Sequence, residues 1–299
     1  MSFLKLSKYG LFLSATLLIV SAVLLFVPGP KFSIEFTGGT LMSIELPADG
    51  TKESLADAVR AFRPEGGELG SFSVSAIRSI GGGSSYSIRM RPLSNEEHVA
   101  LLQHLEKAFP DIRELQFNTI GPSVSQSLKQ RTFVALGLAS VAIITYLAFA
   151  FRKLPRHLNP WKFGLLAVAA FIHDVIITAG FFVVVGRYTS FEFDTLFVTA
   201  LLTILAYSTS DTIVIFDRIR ANMLLEGRSG GFLDTVLRGL KQSIPRTLGT
   251  TISTLIMLVA LFLLGAESIR WFILALIFGI SIGTYSSYFV ASALLLRWK

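Results

Sequence analysis

The sequence predicts a polytopic α-helical membrane protein, with six transmembrane helices and one small α+β domain between the first and the second. Three observations predict it. Of 299 residues, 52% are hydrophobic and 16% are charged, where soluble domains average about 25% charged. The apolar residues gather in six runs, each long enough to cross a hydrocarbon core of roughly 30 Å. One polar stretch, from Lys31 to about Gln130, contains no such run. The chain has no cysteine, which excludes disulfides, thiol catalysis and Cys-ligated metals. A net charge of +7 would suggest nucleic acid in a soluble chain. Here the placement of the charges matters more than their total, and no nucleic acid is expected.

The first run, Tyr9–Val27, follows Lys5 and Lys8. A cleaved signal peptide would have a shorter apolar core and a small-x-small cleavage site. This run ends in Phe26-Val27-Pro28-Gly29-Pro30 instead, so residues 1–29 read as a retained N-terminus and first span.

Residues 30–130 read as a separate domain. Ile34-Glu35-Phe36-Thr37-Gly38-Gly39 leads into Thr40–Leu46, which alternates like a strand. Thr51–Phe62 reads as a helix with Thr51 as N-cap. Phe72–Ile80 and Tyr86–Arg91 read as strands joined by a Gly81–Ser85 turn. The glycines there join two strands and open no helix, so they are a hairpin and not a phosphate loop. Ser94-Asn95-Glu96-Glu97 has the form of a capping box before a helix to Phe109, and Arg113–Ile120 closes as a strand. The order βαββαβ is the ferredoxin-like pattern.

From residue 131 to 299 the membrane pattern returns. Spans are expected at about Thr132–Phe151, Trp161–Val185, Thr195–Phe216, Pro245–Leu264 and Trp271–Leu296. Fourteen Lys and Arg lie in the N-terminus, the loops 152–162 and 217–246 and the C-terminal tail, against Arg187 and Arg270 in the short loops opposite. This imbalance puts both termini in the cytoplasm. The 30–130 domain then lies outside, in the periplasm of a Gram-negative cell.

Polar residues inside the spans are candidates for function, because a charge at mid-membrane costs at least about 2.5–3.5 kcal/mol. Asp211 lies roughly 9 Å inside Asp217, where the fourth span returns to water. Thr203, Tyr207 and Asp211 share one face of that helix, with Ser208 and Thr212 beside them. The fifth span opens with Pro245-Arg246, and Arg246, Thr250 and Thr254 share a face. The third span carries His173-Asp174 near its middle. The simplest arrangement turns these faces together, so that Asp211 pairs with Arg246 directly or through hydroxyls and water. A pairing that depends on the proton is a protonation switch. Asp211 and Arg246 are therefore the expected proton-coupling residues, in an intramembrane network of His173, Asp174, Tyr207, Ser208, Thr212 and Thr250. Blander readings compete. Asp211–Arg246 is a static ion pair, Arg246 is an interfacial anchor, and His173-Asp174 is a structural hydrogen-bonded pair, weak as a metal site. Gly279, Gly283, Ser287 and Ala291 form a small-residue face for close helix packing.

Ile34–Gly39 (IEFTGG), Ala170–Gly180 (AFIHDVIITAG), Thr199–Asn222 (TALLTILAYSTSDTIVIFDRIRAN) and Gly283–Ala291 (GTYSSYFVA) resemble motifs of the SecF family, membrane subunits of the bacterial Sec protein-export machinery. That family comprises half-sized relatives of the RND transporters, and the resemblance covers essentially the whole chain. Pro245–Leu255 falls where the family has an Arg-Thr segment. The chain departs from the family at Glu35, usually Asp, at Ala206 and Ser210, usually Gly and Asn, and at Ser125, usually Gly. None of these removes an ionisable group from the membrane.

The resemblance implies a partner, SecD, that supplies a matching six-span half. It further implies work with the SecYEG channel, the SecA motor and YajC on exported preproteins in the bacterial inner membrane, among its lipids. It implies use of the proton-motive force in late export, which needs no catalytic residue, cofactor or metal. Two rivals stand beside it. An RND-type exporter of a small molecule or lipid would need a larger external region than one small domain. An intramembrane aspartyl protease would pair Asp174 with Asp211, but Asp211 lacks the Gly-x-Gly-Asp context of those enzymes.

Overall fold

The computed structural model describes residues 3–47, 50–63, 72–77, 84–150, 160–226 and 231–297. The chain divides into a helical unit, Met1–Lys31 with Phe133–Lys299, and a smaller unit, Phe32–Thr132.

In the smaller unit, α2 (Ile34–Thr37) is a single turn capped by Ser33, whose hydroxyl accepts the Glu35 N–H. Gly38 and Gly39 follow with φ of 71° and 121°. A side chain at Gly39 would also meet the Met90 carbonyl oxygen at 2.7 Å, so this turn requires glycine. β1 (Gly39–Leu46) then enters a four-stranded antiparallel sheet with β2 (Ser73–Ile77), β3 (Ser84–Met90) and β4 (Arg113–Ile120), in the order β2-β3-β1-β4. α3 (Lys52–Ala61) and α4 (Asn95–Ala108) both start from capping boxes, at Thr51 and Ser94. Leu55, Val59, Leu101 and Leu105 on the helices pack with Met42, Ile44 and Ile88 on the sheet, all fully buried. Ser84 and Ser85, expected in the turn, belong to β3. The Gly81–Gly83 turn lies outside the described residues.

Six helical segments among the described residues are long and apolar enough to cross a membrane. They are α1 (Phe3–Phe26), α5 (Pro122–Ala150), α6 (Pro160–Tyr188), α7 (Thr195–Glu226), α8 (Phe232–Leu264) and a last span. That last span is α9 (Arg270–Ser286), a π-helical turn (Ser287–Ala291) and α10 (Ser292–Arg297). The chain is a multi-pass membrane protein. α6 and the last span are mostly buried and α7 is half buried, while little of α1, α5 and α8 is buried. Lipid tails are as apolar as Leu, so close packing must hold such helices together. Gly279 lets α9 seat directly on the Ile204 side chain of α7. Phe182, Phe191, Phe193 and Phe197 cluster with centroids 4.7–5.3 Å apart, edge-on except for the tilted Phe182–Phe197 pair, and Phe163 meets Phe216 edge-on at 5.2 Å.

Three helices run well beyond their apolar runs, and α5 is one of them, starting at Pro122 rather than Thr132. α7 continues to Glu226, and α8 starts at Phe232 with Pro245 inside it. Pro245 cannot donate to the Lys241 carbonyl. The preceding turns hold nonetheless, because Val236, Gly239, Leu240 and Ser243 are buried, Gly239 lies against Ile219, and Asn222 donates to Gln242 at 3.1 Å. Hydropathy finds the lipid-facing part of a helix and misses an amphipathic extension of it.

Candidate functional site

The polar groups of the helical unit meet where α6, α7, α8 and α9 pack. Asp174 sits at the middle of α6 and is fully buried. Its Oδ1 lies 2.9 Å from His173 Nδ1. Its Oδ2 accepts hydrogen bonds from Ser208 at 2.7 Å and Ser286 at 2.8 Å. Gly283 makes room for this cluster, since a Cβ there would meet Ser208 at 2.9 Å and approach Asp174 Oδ2 at 3.5 Å.

Asp211 is one turn further along α7 from Ser208 and is also buried. Thr284 donates to its Oδ2 at 3.1 Å. The Thr284 oxygen lies 2.9 Å from that of Thr251 on α8. A hydroxyl has one proton to give, so while Thr284 serves Asp211 it must accept from Thr251. The chain of donors therefore runs α8 to α9 to α7. A third link joins the two clusters. The Thr212 and Ser287 hydroxyls lie 2.9 Å apart, and the Ser287 hydroxyl lies between the Gly283 carbonyl of its own helix at 3.0 Å and the Ser208 carbonyl at 3.3 Å.

Ser287 opens the π-helical turn. Widening the helix there offsets the backbone ladder, and Ser292 donates to the Ser287 carbonyl at 2.8 Å. Such bulges are frequent at functional sites. Four further buried polar atoms, His173 Nε2 and the hydroxyls of Thr178, Thr209 and Thr247, have no partner among the described residues.

Of the expected network, His173, Asp174, Ser208 and Thr212 are brought together. Tyr207 reaches only Thr254, at 3.4 Å. Thr250 is not part of it, for its hydroxyl is turned to the carbonyls of Arg246 and Thr247 on its own helix, and the residue is exposed. Thr203 is exposed in the same way, bonded to the Thr199 carbonyl. Arg246 is exposed, and no ion pair joins it to Asp211 among the described residues. The expected face of α8 is one residue out. The buried stripe is Ser243, Thr247, Thr251 and Leu258, and a step of one residue turns a helix face by about 100°. Thr251, Thr284 and Ser286 are hydroxyls of the buried polar cluster that sequence reasoning missed. The four-residue spacing of Gly239, Ser243, Thr247 and Thr251 was the available signal, a small and polar stripe suited to close contact.

Arg246 instead lines a cavity of about 470 Å³ between α5, α7 and α8, together with Tyr146, Asp217, Arg218, Arg220 and Gln242.

Comparison with known proteins bears on this arrangement. Residues 100–299 match the family of the protein export membrane protein SecD/SecF C-terminal region, and residues 23–46 match the SecD/SecF GG motif. The chain is 35% identical over 301 residues to a protein translocase subunit SecF of Thermobaculum terrenum, covering 98% of this chain and 92% of that protein. It is 32% identical to the Haemophilus influenzae SecF, covering 98% of this chain and 84% of that one. The crystal structure of SecDF from Thermus thermophilus matches with a TM-score of 0.81 at 30% identity. That match covers all of this chain and 38% of the SecDF chain. The GG motif coincides with the left-handed Gly38-Gly39 turn, and the C-terminal match takes in every residue of the buried polar core. The chain belongs to the SecF branch of the SecD/SecF family of protein-export membrane proteins.

Proposed function

We propose that this chain is an auxiliary subunit of the Sec protein translocase that works with SecD to turn the proton-motive force into late steps of preprotein export. The relatives at about a third identity are named protein translocase subunits, and the Thermus structure is described as translocon-associated. Translocase subunits of this kind act without bond chemistry, and the proposal assigns no catalytic residue.

The observation that carries the proton part is a pair of buried carboxylates, Asp174 and Asp211, held by hydroxyls and one imidazole. Neither is in an ion pair with Lys or Arg among the described residues. A carboxylate takes up charge at high cost in such a place. Gain or loss of a proton at Asp211 therefore changes which neighbours it prefers. Protonated, it is content with Thr284; ionised, it attracts Arg246 from the cavity below. Moving one charge through 100 mV yields about 2.3 kcal/mol, enough to shift an equilibrium between two helix arrangements about fiftyfold. His173, Asp174, Ser208 and Thr212 extend the polar path beyond Asp211.

The same proposal places the chain in the bacterial inner membrane with both termini cytoplasmic, on the Lys and Arg imbalance. The smaller unit is then a periplasmic ferredoxin-like domain, a reading supported by its βαββαβ order and the β2-β3-β1-β4 sheet. SecYEG, SecA and YajC are the further partners this role requires. Inner-membrane vesicles depleted of the chain test the role. Export should lose its acceleration by an imposed proton gradient and regain it when the chain is restored with SecD. Equal gradient dependence with and without the chain would overturn it.

A further inference from the structure

We propose that the cavity between α5, α7 and α8 is a binding site for the phosphate headgroup of an anionic phospholipid. It lies at the end of the bundle where α7 passes from apolar residues to Asp217, Arg218 and Arg220. Its volume of about 470 Å³ falls within the ~300–1,000 Å³ range of small-ligand sites.

The charges around it are unequal. Three guanidiniums, those of Arg218, Arg220 and Arg246, face one carboxylate, that of Asp217. Asp217 is committed to Arg220 at 2.7 Å, and Arg220 also donates to the Ala150 carbonyl at 2.9 Å, at the end of α5. Arg220 thus ties α7 to α5 and lines the cavity. Arg218 and Arg246 line it too, and neither is in an ion pair among the described residues. Two like charges around one cavity repel each other, and an anion between them relieves this. Guanidinium groups suit phosphate oxygens, which they can grip through paired N–H donors. Gln242 adds a neutral donor on the α8 side.

The walls decide what carries the phosphate. Tyr146 and Ala150 on α5, with Ile213 and Val214 on α7, line the membrane side of the cavity. α5 is largely exposed over the rest of its length, so an acyl chain can leave along it. A phosphate held among arginines with apolar side chains beside it is the arrangement of a lipid headgroup, and basic pockets between transmembrane helices bind such headgroups. The site shares Arg246 with the proton-coupling reading but does not rest on it, and Arg218 has no part in that reading.

The test uses the full chain assembled with its partner half in nanodiscs of phosphatidylcholine containing a minor fraction of phosphatidylglycerol. Native mass spectrometry counts the lipids retained on release. The wild type should retain phosphatidylglycerol in preference to phosphatidylcholine. Arg218→Gln, at an exposed position, should lose about fivefold of that preference, and Arg218→Lys should keep part of it. Arg270→Gln, outside the cavity, should behave as wild type. Millimolar glycerol 3-phosphate should not displace the lipid. Equal retention of the two lipids, or an unchanged preference in Arg218→Gln, would overturn the proposal. Displacement by glycerol 3-phosphate would overturn it as well, in favour of a soluble phosphate.

Discussion

Asp211 on α7 and Thr284 on α9 are joined by a hydrogen bond of 3.1 Å in the buried centre of the helical unit. While Thr284 gives its one proton to Asp211, its bond with Thr251 on α8 must run from Thr251 to Thr284, because each hydroxyl donates once. Three helices thus contribute to the surroundings of one carboxylate, and the bond state of Asp211 is felt by all three.

The first prediction concerns that chain of hydroxyls. Thr284→Val and Thr251→Val should each lower gradient-driven export several-fold. Thr284→Val should cost about 1–3 kcal/mol of stability, since it strands Asp211 Oδ2 and the Thr251 hydroxyl, and Thr251→Val about 1 kcal/mol for one lost hydrogen bond. Thr250→Val should be close to neutral, because its hydroxyl turns to its own backbone at an exposed position. Export assays and thermal unfolding of the purified complex give both readouts. Equal effects at Thr250 and Thr251 would place the wrong face of α8 in the core.

Helix packing supplies the second. Gly279→Ala introduces a methyl group that collides with Ile204, which is fully buried. It should destabilise the helical unit by about 1–3 kcal/mol. Gly137→Ala on α5 meets nothing within 4 Å and should be neutral or stabilising by up to about 1 kcal/mol. Thermal unfolding of the two variants side by side checks the contrast.

A third prediction concerns pH. The Arg91 guanidinium, and after it the Ser94 N–H, hold the Glu97 carboxyl below its usual range near 4.5. A lowered folded-state pKa means that the pair stabilises α4 at neutral pH. That contribution persists down to the ordinary carboxylate range and is lost as pH falls through the lowered value. The pair is solvent-accessible, so the effect is modest, about 1 kcal/mol or less. Amide exchange across residues 95–108 should be faster in Glu97→Gln than in wild type at pH 7. The difference should persist down to the ordinary carboxylate range and shrink as pH falls below it. A difference that grows on acidification would contradict the assignment.

Much of this structure is legible in the sequence because it is locally encoded. The N-cap at Thr51 and the capping box at Ser94 mark α3 and α4 within a residue, and the apolar runs locate every span. The placement of Asp211 and Asp174 in the interior follows from the cost of exposing an acid to lipid. The start of α8 is not legible in this way. Pro245 is a favourable first residue of a helix, and only the packing of Val236, Gly239 and Leu240 against α7 overrides that signal. The face of α8 is equally hidden. Arg246-Thr250-Thr254 and Ser243-Thr247-Thr251 are both polar stripes at four-residue spacing, and the choice between them is made by packing against α7 and the last span. The small residues of the last span were legible as a packing surface. The hydroxyl contact of Ser287 with Thr212, and that of the neighbouring Ser286 with Asp174, depend on packing that no local pattern records.

The most direct test of proton coupling at Asp211 is preprotein export driven by an imposed pH gradient, comparing wild type with Asp211→Asn, each assembled with SecD. Asparagine keeps the side-chain shape and can still accept from Thr284, but it cannot cycle a proton. Asp211→Asn should assemble normally, retain the basal export rate and lose the gradient-dependent part. Full gradient dependence in Asp211→Asn would show that this acid is structural and that the proton path lies elsewhere.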